Sequence, residues 1–207
     1  MNKKRKGYMT LDEHHAQMKI DGTYDAMIEL KRQQEEERQK RAAEWRRAET
    51  PLREELRAAG IIVESVWDLV NTNVSYASAL PILLEHLHRP YPAAVREGIA
   101  RALAVPEASF AWDVLTQLYR NEQEVRAKDG LAVAISAVAN DEVIGDLIAL
   151  IRDTRQGPSR LLLLRALERS SDPKAYKTLV ELAPDPNLSK EVQVILRRIK
   201  RTKTSLR

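Results

Sequence analysis

The sequence predicts an all-α chain: an α-solenoid of about four regular helix pairs, preceded by an N-terminal capping pair and a long charged helix. Three observations carry this. Apolar residues recur every thirty-two positions, in the columns Leu83/Leu115/Leu147/Leu179, Ile99/Leu131/Leu163/Ile195 and Leu103/Ile135/Leu167/Ile199. A small-residue column runs beside them as Ala102, Ala134 and Ala166, and fails only at Arg198. Aromatic residues make up only 5% of the chain while Leu and Ala dominate, which suits helix-on-helix packing better than a β-sandwich. Self-similarity at this period marks stacked units, each burying its apolar face on the next.

Taken in order, residues 1–22 show no sustained period and read as a flexible basic and polar arm or a short helix. Residues 23–50 form a charged helix: from Tyr24 to Glu49 there is no proline or glycine, and Glu, Arg, Lys, Gln and Ala prevail. Glu36/Lys40 and Glu37/Arg41 are spaced for acid-first ion pairs. Lys31 to Arg41 contains no apolar residue, so the middle of this helix should stand in solvent. Apolar character returns at Trp45, Ala48, Leu52 and Leu56.

Residues 51–74 read as a degenerate first repeat. Thr50-Pro51 supplies a cap followed by a first-turn proline, and Gly60 a C-terminal glycine. A short helix over 64–70 would turn Val66, Trp67 and Val70 inward. Over 75–200, four pairs are expected at about 77–88 with 92–104, 109–120 with 124–138, 142–152 with 158–169 and 173–183 with 189–200. Pro90 and Pro92 break the first pair, Ser109 and Asp141 are cap candidates, and Asp172-Pro173 and Asp185-Pro186 mark turns. Residues 201–207 form a basic tail.

The 207 residues carry a formal net charge of +4, concentrated at the ends. Lys3, Lys4, Arg5 and Lys6 open the chain; Arg197, Arg198, Lys200, Arg201, Lys203 and Arg207 close it. Such tails favour solubility or weak attraction to polyanions. Cysteine is absent, which excludes disulfides and thiolate metal sites. Gly7 to Ile20 is polar and offers no signal-peptide core, and no apolar run is long enough to cross a bilayer, so a cytoplasmic protein without membrane partners is expected.

The second helix of the first unit reads Ala-Val-Arg-Glu-Gly-Ile-Ala-Arg-Ala-Leu over Ala94 to Leu103; its counterpart reads Ala-Lys-Asp-Gly-Leu-Ala-Val-Ala-Ile over Ala127 to Ile135. The third carries Ser159-Arg160 followed by Leu163, Ala166 and Leu167. This pattern resembles the HEAT repeat, in particular its short bacterial form, and the stretch from Ser65 to Ala104 looks like a group of bacterial HEAT-repeat proteins. The resemblance covers about Ser75 to Lys200. It implies stacked helix pairs whose second helices line a concave face, with an acid at the turn inside each pair. Asp153 and Asp185 match that acid, while Arg89 and Asn121 depart from it.

Opposite the Ile99/Leu103 stripe, helical spacing puts Glu97, Arg101, Asp129, Val133, Leu161, Arg165, Gln193 and Arg197 on one face. With acids toward one end and arginines toward the other, this face suits a partner of mixed charge; an ordinary solvated surface is the alternative. Arg96, Lys128 and Arg160 start successive second helices. They form either a track for an anionic partner or, as favoured here, a ladder tying helix starts to turn acids and carbonyls.

Glu97 and Asp129, equivalent on adjacent units, offer a pair of carboxylates for acid/base work, but no other catalytic group accompanies them. Gly98 and Gly130 recur in register inside helices, where they would allow close helix approach. His14-His15 has no third ligand nearby; of His86 and His88, two apart, one should pack and the other be wet; Trp112 belongs to the core column of Leu80, Ile144 and Tyr176. No phosphate loop, nucleophile triad or zinc spacing occurs, so neither cofactor nor metal is expected. The leading expectation is a non-enzymatic scaffold holding a protein partner in its groove, with the charged helix as a second contact or oligomer interface. Nucleic-acid binding through the basic termini and Arg101, Arg165 and Arg197 is the second. A HEAT-type lyase or glycosylase using Glu97 and Asp129 is the third.

Overall fold

The computed structural model describes residues 9–205, with side chains through 201. Among the described residues the chain is all-helical and contains no strand. It divides into two compact units, Met1–Arg47 and Ala48–Arg207. Lys3, Lys4, Arg5, Lys6 and the side chains of Lys203 and Arg207 lie outside the described residues. No described helix is long and apolar enough to cross a membrane.

In the first unit, the stretch expected as a loose arm holds α1 (Leu11–Ile20). A capping box starts it: the Thr10 hydroxyl accepts from the Glu13 amide, and the Thr10 amide donates to the Glu13 carboxylate at 2.8 Å. Those bonds hold the Glu13 carboxyl below its ordinary value. Then α2 runs over Tyr24–Ala48 without a buried residue. Glu37 pairs with Arg41 at 3.7 Å as the spacing predicts, but Glu36 pairs with Arg32 one turn back, within a Glu29–Arg32–Glu36 chain.

The second unit begins with α3 (Thr50–Ala58) and α4 (Trp67–Val70). Thr50 is not the cap: α3 already includes it, and Glu49 before it is in helical conformation. Gly60 does close the helix, at φ 83°, with its amide bonded to Arg57 O and the Ile61 amide to Leu56 O, a Schellman ending. Glu49 is 2% exposed and works forward in sequence. Its carboxylate accepts from the Ser65 hydroxyl and the Val66 amide, holding the turn that enters α4. Burial pushes its carboxyl above the ordinary value. Leu69 of α4 and Val66 just before it are buried; Trp67 and Val70, expected inward, are half-buried.

Four helix pairs follow: α5 (Leu80–His86) with α6 (Ala93–Ala102), α7 (Trp112–Asn121) with α8 (Val125–Val138), α9 (Ile144–Arg152) with α10 (Arg160–Arg169), and α11 (Pro173–Leu182) with α12 (Ser189–Ser205). Short 3₁₀ segments at 77–79, 106–111, 141–143 and 154–159 lead into α5, α7, α9 and α10, the last of them interrupted at Gly157. The 106–111 turn displaces Ser109 from its expected cap position, because Pro106 starts the turn three residues earlier. At the next boundary Asn140, not Asp141, is the cap; its side chain accepts from the amides of Glu142 and Val143. Asp141 instead accepts from the hydroxyls of Ser170 and Ser171. The last helix continues to Ser205, past the expected end at 200.

Each second helix packs on the next: α6 on α8, α8 on α10, and α10 on α12. The thirty-two-residue columns form the core. Leu83, Leu115, Leu147 and Leu179 are each 0% exposed, and Ile99, Leu131, Leu163 and Ile195 do not exceed 3%. Burying such a side chain contributes about 1.5–3 kcal/mol. The columns weaken at the C-terminal end, where Ile199 is half-buried, Arg198 is exposed and Tyr176 is 38% exposed, while Trp112 is 8%. His86 is buried and His88 exposed; His86 Nδ1 lies 2.7 Å from the Tyr91 hydroxyl and Nε2 3.0 Å from a Glu55 oxygen, which joins α5 to α3.

The in-register glycines allow close approach between neighbouring helices. A Cβ on Gly98 would sit 2.6 Å from Val66 Cγ1. One on Gly130 would sit 2.9 Å from the backbone oxygen of Glu97.

Candidate functional site

Two rows of side chains decorate the second helices. One lies at their N-terminal ends, where helix starts leave backbone groups without intrahelical partners. Arg160 is 2% exposed; its Nη1 donates to Ile151 O at 2.9 Å and to Asp185 at 3.3 Å, and its Nε donates to Gly157 O. Arg96 pairs with Glu122. Lys128 donates from Nζ to Glu122 O at 3.3 Å and sits 5.0 Å over the ring of Tyr119. Burial lowers the Lys128 pKa, while the charges of Glu122 and Asp153 partly restore it. Desolvation pushes the buried Tyr119 phenol well above its ordinary value. Arg96 and Arg160 thus each pair with a turn acid of the following pair, whereas Lys128 bonds the Glu122 carbonyl in the turn of its own pair.

Asp153 and Asp185 are two of the turn acids. The third is Glu122, one residue past the Asn121 position where the pattern had failed, so the acid of that unit is shifted rather than missing. Asp153 also accepts from Arg155 and Gln156, and those bonds hold its carboxyl far below the ordinary range.

The second row is the predicted binding face, and the structure divides it. Glu97 is buried at 8%, not exposed. Its Oε1 accepts from Arg101 Nε at 2.9 Å, and its Oε2 pairs with Arg126 from the first turn of α8. The cause is the close approach at Gly130, which brings α8 over the backbone of residue 97. With both oxygens bound to guanidinium groups, Glu97 offers no lone acid beside the half-buried Asp129. Gln193 and Arg197 are exposed, and Arg197 Nε donates to Gln193 O at 3.1 Å.

Val133, Leu161 and Arg165 come together in one groove of about 520 Å³ on α8 and α10, which Ala104 and Glu191 of α12 also line. Its floor is apolar, with Ala137 and Leu162 beside Val133 and Leu161. Leu161 is 37% exposed. Arg101 lines a neighbouring cavity of about 330 Å³ that shares Ala104 with this groove. Glu97, Asp129, Gln193 and Arg197 line neither.

Arg169 also lines the groove, and its guanidinium donates to Ser136 O in the last turn of α8. Sequence spacing missed Arg169, which lies four residues beyond Arg165 and so on the same helix face. It also missed Arg126, whose role depends on where Glu97 is buried. Among the described residues no group of three His, Asp or Glu could hold a metal ion.

Compared with protein-family models, curated proteins and solved structures, the chain matches none.

Proposed function

We propose that this chain is a non-enzymatic, cytoplasmic interaction module, a HEAT-like α-solenoid that holds a protein partner on the concave side formed by its second helices. The groove over α8 and α10 carries this reading. It places an apolar floor beside a charged rim on consecutive helices of one stack, the arrangement by which solenoids gather many weak contacts. In the same reading the solvent-exposed α2 supplies a second contact or an oligomer interface.

A photoreactive amino acid placed at Leu161, and separately at the exposed Val180 on α11, tests the proposal in lysate of the source cell. Discrete protein adducts at position 161 and none at 180 are expected; equal labelling at both positions, or none at 161, contradicts it.

Nucleic-acid binding is the second reading, favoured by the exposed Arg197, Arg198, Lys200 and Arg201 along one helix. It requires affinity for DNA or RNA that falls steeply between low and moderate salt.

A further inference from the structure

Resting on the groove reading above, we infer that the occupant is a short amphipathic helix of a partner protein that carries bulky apolar residues on one face with carboxylates beside them. Three features of the groove point to this occupant.

The first is unanswered charge. Arg165 is exposed, lines the groove, and makes no hydrogen bond or ion pair among the described residues. The other arginines of this face are engaged: Arg101 and Arg126 with Glu97, Arg169 with Ser136 O. The rim therefore carries two arginines, Arg165 and Arg169, against the single acid Glu191. An incoming carboxylate completes Arg165 with a forked pair of hydrogen bonds, the geometry guanidinium groups favour.

The second is the floor. Val133, Ala137, Leu161 and Leu162 supply apolar surface that a nucleic-acid backbone or a polyglutamate chain would leave wet, whereas a leucine-sized side chain would cover it. The volume of about 520 Å³ lies within the range of specific ligand clefts, roughly 300–1,000 Å³.

The third is continuity. Because Ala104 borders both cavities, an occupant passing from one to the other would run from α10 across α8 to the end of α6. At helix spacings of about 8–10 Å, that length spans several turns of a peptide helix presenting anchors at i, i+3 and i+4.

Fluorescence anisotropy with the full chain and four labelled probes tests the inference: an amphipathic Glu/Leu peptide, its Lys/Leu counterpart, a Glu/Ala peptide lacking anchors, and a single-stranded DNA oligonucleotide. The Glu/Leu peptide should bind at least about tenfold more tightly than the other three, a factor typical of one well-placed charge pair with its apolar contact. Arg165→Glu should reverse the preference toward the Lys/Leu peptide, and Leu161→Ala should weaken both leucine peptides together. Both positions are exposed, so the variants should fold, as checked by circular dichroism.

Equal binding of the Glu/Leu and Lys/Leu peptides, no binding of either, or a preference unchanged by Arg165→Glu overturns the inference. Binding of the Glu/Ala peptide or the oligonucleotide as tight as that of Glu/Leu overturns it in favour of a general polyanion. Should crosslinking at position 161 succeed while the peptides show no charge preference, only the acidic-partner inference falls. Should crosslinking also fail, the groove reading falls with it.

Discussion

In α2, twenty-five residues are helical without one buried side chain, whereas the fourteen residues of α8 include eight buried ones. The first helix follows from local chemistry: strong helix formers, with exposed pairs such as Glu29–Arg32–Glu36 and Glu35–Arg38 one turn apart. The second depends on partners about thirty residues away, α6 on one side and α10 on the other. Helices of the first kind fray independently and tolerate substitution; those of the second kind fold and fail with their neighbours.

Substitutions should expose that contrast. The largest effect is expected in the core column: Leu147→Ala, at a fully buried site, should lower unfolding free energy in urea by about 2–5 kcal/mol. Asp185→Ala leaves the buried Arg160 guanidinium without its carboxylate and should cost about 1–3 kcal/mol by the same measurement. Gly130→Ala forces a methyl group against the Glu97 backbone and should cost a similar ~1–3 kcal/mol, because backbone cannot rotate away. Gly145→Ala in α9, where a Cβ meets nothing within 4 Å, is the control and should be neutral or stabilising. Arg32→Ala in α2, whose ion pairs stand in solvent, should leave global stability unchanged by the same measurement. A large loss from Arg32→Ala, or a negligible one from Leu147→Ala, would erase the distinction between the two regions.

A pH comparison sharpens it further. The Glu49 carboxyl is raised in the folded protein, so its contribution is fully present below the unfolded carboxylate pKa. That contribution is lost as pH rises through the raised folded value. Glu49→Gln removes the dependence, so the stability of the natural protein relative to this variant should fall as pH rises from the ordinary carboxylate range, about 4, through the raised folded value. A constant or growing advantage would mean that the Val66 cap stabilises the carboxylate more than burial opposes it.

The thirty-two-residue columns were legible because successive helix pairs bury the same positions, and Leu83, Leu115, Leu147 and Leu179 needed only their spacing to be found. Local cap choices were not. Asn140 and Asp141 are chemically similar neighbours, and which one caps depends on the chain direction entering the 3₁₀ turn. Of the eight residues that the thirty-two-residue spacing puts on one face, Val133, Leu161 and Arg165 line one groove. Glu97 was misjudged because its burial is decided by Gly130 on the neighbouring helix, and single-helix periodicity carries no such term. Glu122 escaped because a one-residue shift in a turn breaks a strict period while leaving the ion pair within reach.

A solenoid requires second helices that follow one another in sequence order. The absence of cysteine allows spin labels to be placed cleanly at positions 101, 165 and 197, which lie on α6, just C-terminal to the middle of α10, and on α12. Double electron–electron resonance should give a 101–165 separation near two helix spacings, roughly 20 Å, and a 101–197 separation longer by about one more. A 101–197 distance equal to or shorter than the 101–165 distance would contradict the stack.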